Sequence, residues 1–250
     1  MNTNDAWHAL AAFTPARLAL GRSGNGLPTD HVLEFQLAHA RARDAVNAPF
    51  DPQRVADALG RADLLLLKTA AADRRAYLMD PDSGRRLSAS SRRALTHGRF
   101  DAALVIADGL SSTAIHSHGA TLARLIQGSL PGLALAPVSI VTGARVAIGD
   151  EIAQALGAEL AVVLIGERPG LSAADSIGIY LTFAPQPGVT KDADRNCISN
   201  VRPGGLPLED AAHRLAWLVT EARRLRLTGV SLKEDAPDLQ RVASPDRLGS

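Results

Sequence analysis

Cysteine is nearly absent: Cys197 is the single one in 250 residues. A lone thiol excludes an intramolecular disulfide and any cysteine-cluster metal site. Aromatic side chains are also scarce, at 4% of the chain. The core therefore has to be built mostly from Ala, Leu, Val and Ile. Lysine is rare, with Lys68, Lys191 and Lys233 as the whole set. Arginine carries the remaining positive charge, and its planar fork suits buried or interface pairing. A nucleotide-composition bias would give the same excess. Net charge is missing too. The 27 basic residues balance 26 acidic ones and leave +1, which argues against a bulk electrostatic grip on nucleic acid or an anionic membrane. No apolar run reaches the roughly 18 to 20 residues of a membrane helix. Met1 to Leu10 lack the basic-then-apolar order of a secretory signal. What is abundant is hydrophobic surface, at 46% of residues. That is enough for a sizeable core and excludes a wholly disordered or fibrous chain. The expectation is a soluble, cytoplasmic protein with no membrane and no nucleic-acid partner.

The first hundred residues read as short helices and loops. Asp30 is placed to cap a helix over residues 31–46, with Leu33, Leu37 and Ala40 on one face. Asp51-Pro52 opens a second helix that stops at Gly60. The run from Leu64 to Leu67 fits either a strand or a helix, and Asp80 to Gly84 is a turn. From residue 100 the pattern changes. Strands are expected at 102–107, 138–141, 160–166 and 177–183. Helices are expected from about Ser112 to Gln127, from Asp150 to Leu156 and from Ala211 to Leu227. Continuous apolar strands separated by helices mean a parallel sheet covered on both faces. The predicted fold is α/β: a Rossmann-like, mostly parallel sheet with a small helical N-terminal part. The boundaries drawn are 1–99, 100–233 and a polar tail at 234–250.

In such a sheet, ligands bind beyond the carboxyl ends of the strands. Three segments fall there: Asp108-Gly109, Gly143 to Val146, and Gly166 to Gly170. They read equally well as a site or as plain turns. The glycines match no dinucleotide fingerprint and no phosphate loop. His116 and His118, two apart on a helix, point in different directions and make a poor metal pair. A surface or interface role suits them better. Ser111 and Ser112 stand near a strand-to-helix turn, but no G-x-S-x-G elbow is present. Asp194 to Asn200 is the densest polar segment and reads as a loop that holds a ligand or partner. Within it, Arg195 is placed to lower the pKa of Cys197. A small buried hydrophobe is the commoner fate of such a cysteine.

The motifs together resemble one family. They run from Thr14-Pro15-Ala16-Arg17-Leu18 and Gly21-Arg22-Ser23-Gly24 through His39-Ala40, Asp44-Ala45-Val46, Tyr77-Leu78, Pro81-Asp82 and Gly84-Arg85. They continue with Val105 to Ser111, Gly149-Asp150-Glu151-Ile152, Leu164 to Ser172 and Arg195 to Asn200. In this order they resemble the small (light) subunit of ethanolamine ammonia-lyase over residues 14–233. The sequence departs from that pattern at Ala174, where the family usually has proline, and at Gly204, where it has glutamate.

The resemblance implies a carbon–nitrogen lyase that uses adenosylcobalamin to convert ethanolamine to acetaldehyde and ammonia. In that family the cofactor lies between the small subunit and a large barrel subunit that holds the substrate, in a hetero-oligomer. The cobalt–carbon bond breaks homolytically and the adenosyl radical takes a substrate hydrogen. The family's cobalamin contacts fall on Val146, Glu167 and Cys197, with Asp108 and Arg145 as neighbours. No catalytic residue and no metal ligand is implied in this chain, and Cys197 need not ligate the cobalt. Some members carry a long N-terminal extension tied to a bacterial microcompartment. Here only Met1 to Phe13 precede the motif, so either free or packaged localisation fits. Two rival readings remain beside the lyase. One is a stand-alone α/β hydrolase using Asp108, Ser111 and a histidine. The other is a non-catalytic, protein-binding scaffold.

Overall fold

The structure, a computed structural model, describes residues 20–233 together with Ala9, Leu10, Phe13, Thr14 and Ala16 to Leu18. Pro15 of the first motif and the polar tail beyond residue 233 lie outside the described residues. The expected apolar runs become the strands of one six-stranded sheet. These are β1 (Leu64–Lys68), β2 (Phe100–Ala107), β3 (Val138–Thr142), β4 (Ala158–Gly166), β5 (Ile177–Phe183) and β6 (Asn196–Val201). Their spatial order is β1-β3-β2-β4-β5-β6. The first four run parallel, while β5 and β6 add antiparallel. The ambiguous run at Leu64 is thus a strand, the edge of the parallel half.

Strand alternation sends side chains to two separate cores. Ala102, Leu104 and Ile106 of β2 face one core, and Ala103, Val105 and Ala107 face the other. The first core is covered by α2 (Pro52–Leu59), α6 (Ala120–Ser129) and α8 (Leu208–Leu225). The second is covered by α7 (Ile148–Leu156), through Ile148, Ile152, Ala153 and Leu156. Helices on both faces explain why β2 and β4 read as unbroken apolar runs rather than alternating ones. Between β1 and β2 lie the short helices α3 (Arg74–Met79) and α4 (Ala89–Ala94).

The helix ends follow local chemistry. The Asp51 carboxylate accepts from the backbone N–H of Gln53 (3.0 Å) and Arg54 (3.2 Å), and Gly60 ends α2 in the left-handed region. This is the start and stop expected from the sequence. The helix expected from Ser112 is continuous but changes pitch. An α segment, α5 (Ser112–Ala114), passes through a π turn (Ile115–Gly119) into α6.

Three expectations need correction. The polar segment 194–200 is largely strand β6, an antiparallel edge on which Ile198 and Val201 are the buried residues. An exposed edge needs few apolar residues, so its polar composition read as a loop. The long N-terminal helix α1 (Thr29–Asn47) begins after Pro28, with no side-chain cap. Asp30 lies inside its first turn and accepts from the neighbouring His31 N–H instead. The last helix begins at Leu208 and turns at Arg226, earlier at both ends than the apolar spacing suggested.

Candidate functional site

The carboxyl ends of β2, β3 and β4 open into one cleft of about 440 Å³. The chain leaves β2 over the first core, through α5 and α6, to reach β3. It then leaves β3 over the second core, through α7, to reach β4. Connections that diverge to opposite faces leave a crevice between neighbouring strand ends. The three segments singled out in the sequence meet there. The lining includes Tyr77, Leu110, Arg145, Val146, Glu167 and Tyr180.

Close backbone packing builds the floor. Gly109 sits at φ +56°, and a Cβ there would lie 2.3 Å from the Gly166 carbonyl oxygen. At Gly166 a Cβ would lie 2.2 Å from the Ser111 carbonyl oxygen and 2.5 Å from that of Asp108. Only glycine lets the β2 and β4 ends approach this closely. Asp108 lies just beneath. Its buried Oδ1 accepts from the N–H of Gly109 and of Ala144, each at 3.0 Å, and so ties β2 to the loop after β3. Burial pushes its carboxyl above the usual range, opposed by those backbone N–H groups and by Arg74, 3.6 Å away. Asp108 is therefore a brace beneath the floor rather than a surface of the cleft.

One wall is a tyrosine held by two arginines. Tyr77 is buried, and the guanidinium carbons of Arg145 and Arg74 lie 4.2 and 4.8 Å from its ring centroid. Burial pushes its phenol up to about 12, against the opposing pull of Arg145. Arg145 Nη2 also donates to the Tyr77 carbonyl at 3.0 Å. Arg74 donates from Nη1 to the Gly109 carbonyl at 2.7 Å. Tyr77 and Arg74 were not singled out as site residues in the sequence, because they precede β2 and only the fold brings them to the strand ends. The available sign was Tyr77's place in one of the family-like motifs.

Val146 stands just before α7, half-buried, and its carbonyl accepts from Gly149 in the first turn. Glu167 follows β4, and its Oε2 accepts from the Asn200 N–H at 3.0 Å. Cys197 pairs in register with Tyr180 across β5 and β6, and its thiol is exposed. Partial desolvation raises the thiol pKa, and the nearby Glu167 carboxylate adds to the rise, against a lowering contact from the Tyr180 hydroxyl. Tyr180 itself lines the cleft, and desolvation raises its phenol pKa. The structure thus brings Val146, Glu167 and Arg145 into one cleft, with Cys197 at its margin beside Tyr180.

Arg195 does not activate Cys197. Its guanidinium is buried and forms a two-pronged pair with Asp150, at 2.6 and 2.7 Å, while Nη1 also donates to Thr182 Oγ1. A larger groove of about 750 Å³ runs beside this pair. It is lined by charges that largely neutralise one another, Arg85 with Asp82 and Arg92 with Glu151. The strand-end cleft is the better candidate because the fold directs three strand ends and a helix start at it.

The hydrolase residues do not assemble. Ser111 Oγ donates to the Ala174 carbonyl at 2.8 Å and accepts from the Ala114 N–H. His116 accepts from the Asp51 N–H at 3.1 Å and stacks on Phe50. His118 lies 3.3 Å from Asp175. No cluster of His, Cys, Asp and Glu among the described residues could hold a metal ion. No described helix is long and apolar enough to cross a membrane.

Comparison with known proteins identifies the family. The family model for the ethanolamine ammonia-lyase light chain matches residues 4–233. The chain belongs to the ethanolamine ammonia-lyase light-chain family. Curated relatives agree along nearly the full length. The ethanolamine ammonia-lyase small subunit of Azotobacter vinelandii is 51% identical over 258 residues, covering 99% of this chain and 94% of the relative. That of Pseudomonas fluorescens strain SBW25 is 49% identical over 268 residues, covering 97% and 96%. That of Ralstonia nicotianae is 52% identical over 245 residues, covering 94% and 90%. The motifs that suggested the light-chain family include Gly109, Gly166-Glu167 and Tyr77, which here line one cleft, with Asp108 beneath its floor.

Proposed function

We propose that this chain is the small subunit of adenosylcobalamin-dependent ethanolamine ammonia-lyase. It works in the cytoplasm, free or packaged in a microcompartment, and is active only with the large subunit. The reaction converts ethanolamine to acetaldehyde and ammonia. The observation that carries this reading is the strand-end cleft in a protein of the light-chain family.

The cleft's chemistry fits the cofactor. A corrin is a broad, flat, largely apolar ring fringed with amide groups. Val146 and Leu110 offer apolar contact, and Glu167 and Arg145 offer an acceptor and a donor for amides. Glu167 Oε1 is left for such a bond, because the bond from Asn200 is made to Oε2. Arg145 Nε and Arg74 Nη2 are buried without a hydrogen-bond partner, so the wall around Tyr77 holds donor capacity unused within the chain. A cobalamin exceeds this cleft in size, and this chain accordingly supplies one side of its enclosure. When bound, adenosylcobalamin supplies the radical chemistry that the protein cannot.

The residues have distinct roles. Val146 packs on the ring. Glu167 orients its amide fringe. Cys197 is a small, protonated contact at the margin, as its raised pKa requires. Asp108, Gly109 and Gly166 fix the floor and exclude water beneath it. The substrate pocket belongs to the large subunit.

A reconstitution assay tests the proposal. The purified chain, the large subunit, adenosylcobalamin and ethanolamine are mixed, and acetaldehyde release is followed. Release only from the full mixture is expected. Turnover by the chain alone without cobalamin, or none from the full mixture with a competent large subunit, would contradict it.

A further inference from the structure

The N-terminal helix buries little of its surface against the rest of the described chain. Helix α1 has 19 residues, and Ala45 is its buried residue. Helices in proteins draw most of their stability from burying a face, and an isolated one of this length is marginal in water. Yet α1 and the arm before it carry apolar side chains into solvent. Of the thirteen exposed large hydrophobics among the described residues, six lie between Leu10 and Leu37. Leu33 and Leu37 are 58% and 51% exposed, and at four-residue spacing they share one side of the helix. The arm covers a different side, where the Arg17 guanidinium lies 5.7 Å from the centroid of the Phe35 ring. Among the described residues, the Leu33 and Leu37 side stays more than half exposed. A concentrated apolar patch of this kind marks a protein contact.

The position of the helix indicates what covers it. Its C-terminal end is fastened to the rim of the cofactor cleft. Arg74 Nε donates to the Val46 carbonyl at 2.9 Å, while Arg74 Nη1 donates to the Gly109 carbonyl at 2.7 Å. Gly109 and Tyr77, on which Arg74 packs, both line the cleft. Helix α1 is thus continuous with the rim that a second chain must meet in order to close over the cofactor. We propose that the Leu33 and Leu37 side of α1 is a docking surface for the large subunit, joined through Arg74 to the face that closes the cofactor cleft. This rests on the small-subunit reading above.

The test titrates labelled large subunit with the full chain carrying Leu33→Glu and Leu37→Glu together. Both side chains are exposed, so folding should survive, and circular dichroism checks it. The expected result is association weakened by about tenfold or more relative to wild type. A milder pair, Leu33→Ala with Leu37→Ala, should weaken it in the same direction and serves if the glutamates disturb the helix. Unchanged association with either folded variant would overturn the docking surface while leaving the small-subunit reading intact. A wild-type chain that forms a dimer, lost in the variants while large-subunit binding persists, would assign the surface to a second copy and overturn the proposal. Failure of the wild-type chain itself to bind the large subunit would overturn the small-subunit reading, and this proposal with it.

Discussion

Cys197 stands on the last strand of the sheet with its thiol exposed, yet its surroundings withdraw it from nucleophilic chemistry. Desolvation and the Glu167 carboxylate both favour the protonated form, and Arg195 is spent on Asp150. Because the thiolate is the reactive species, iodoacetamide at neutral pH should alkylate Cys197 more slowly than an unstructured peptide thiol. Mass spectrometry of a time course measures this, and faster labelling would restore the activated cysteine. Gly166 is demanding in another way. In Gly166→Ala the new methyl meets two backbone carbonyl oxygens, neither of which can rotate aside. The expected cost is above about 4 kcal/mol, or a Tm lowered by about 10 °C or more. Thermal unfolding measures it, and a variant as stable as wild type would show that the β2 and β4 ends are not so closely packed. Of the residues that line the cleft, Val146 and Glu167 were legible in the sequence because a strand end announces itself by where an apolar run stops. Tyr77 was not, because its approach depends on two arginines and on the path of the chain before β2.

At the scale of elements, two contacts between distant segments hold the layers around the cleft. The buried Asp150 and Arg195 pair joins α7 to the antiparallel half of the sheet, through Thr182 on β5. In Asp150→Ala a buried guanidinium would lose its counter-charge, which costs about 3–5 kcal/mol. Denaturant unfolding should show this loss, and a change below about 1 kcal/mol would mean that water reaches Arg195. The second contact is the neutral His116 ring, which accepts from the Asp51 N–H at the start of α2. Desolvation, reinforced by Arg54, lowers its pKa below 6.5, opposed by Asp51. The folded state therefore binds a proton less readily than the unfolded chain. The stability this contributes is present above about pH 6.5 and is lost as pH falls through the lowered value. His116→Gln should make Tm less sensitive to acidification across that window than wild type, and an unaltered sensitivity would contradict the contact. The elements themselves were read with uneven success for a physical reason. β2, β4 and β5 are buried in the sheet and declare themselves by composition. β6 is an edge with most of its side chains in solvent, so its sequence resembles a loop. Helix α1 was visible from its periodicity, but not its missing cap or the exposure of Leu33 and Leu37.

The whole molecule is a sheet with two cores, a cleft at its strand ends and a helical arm fixed to the cleft's rim. The parallel half and its helices place the cleft. The antiparallel strands add Tyr180 and Cys197 to its margin. In the reading proposed here, a chain of the light-chain family with this design supplies one wall of the cofactor's enclosure. The most direct test is equilibrium binding of adenosylcobalamin to the assembled complex, comparing wild type with Val146→Trp, whose larger ring would fill the cleft from the start of α7. Affinity should fall by about tenfold or more while the two subunits still associate as before. Unchanged cobalamin affinity in that complex would contradict the cleft as the cofactor's wall.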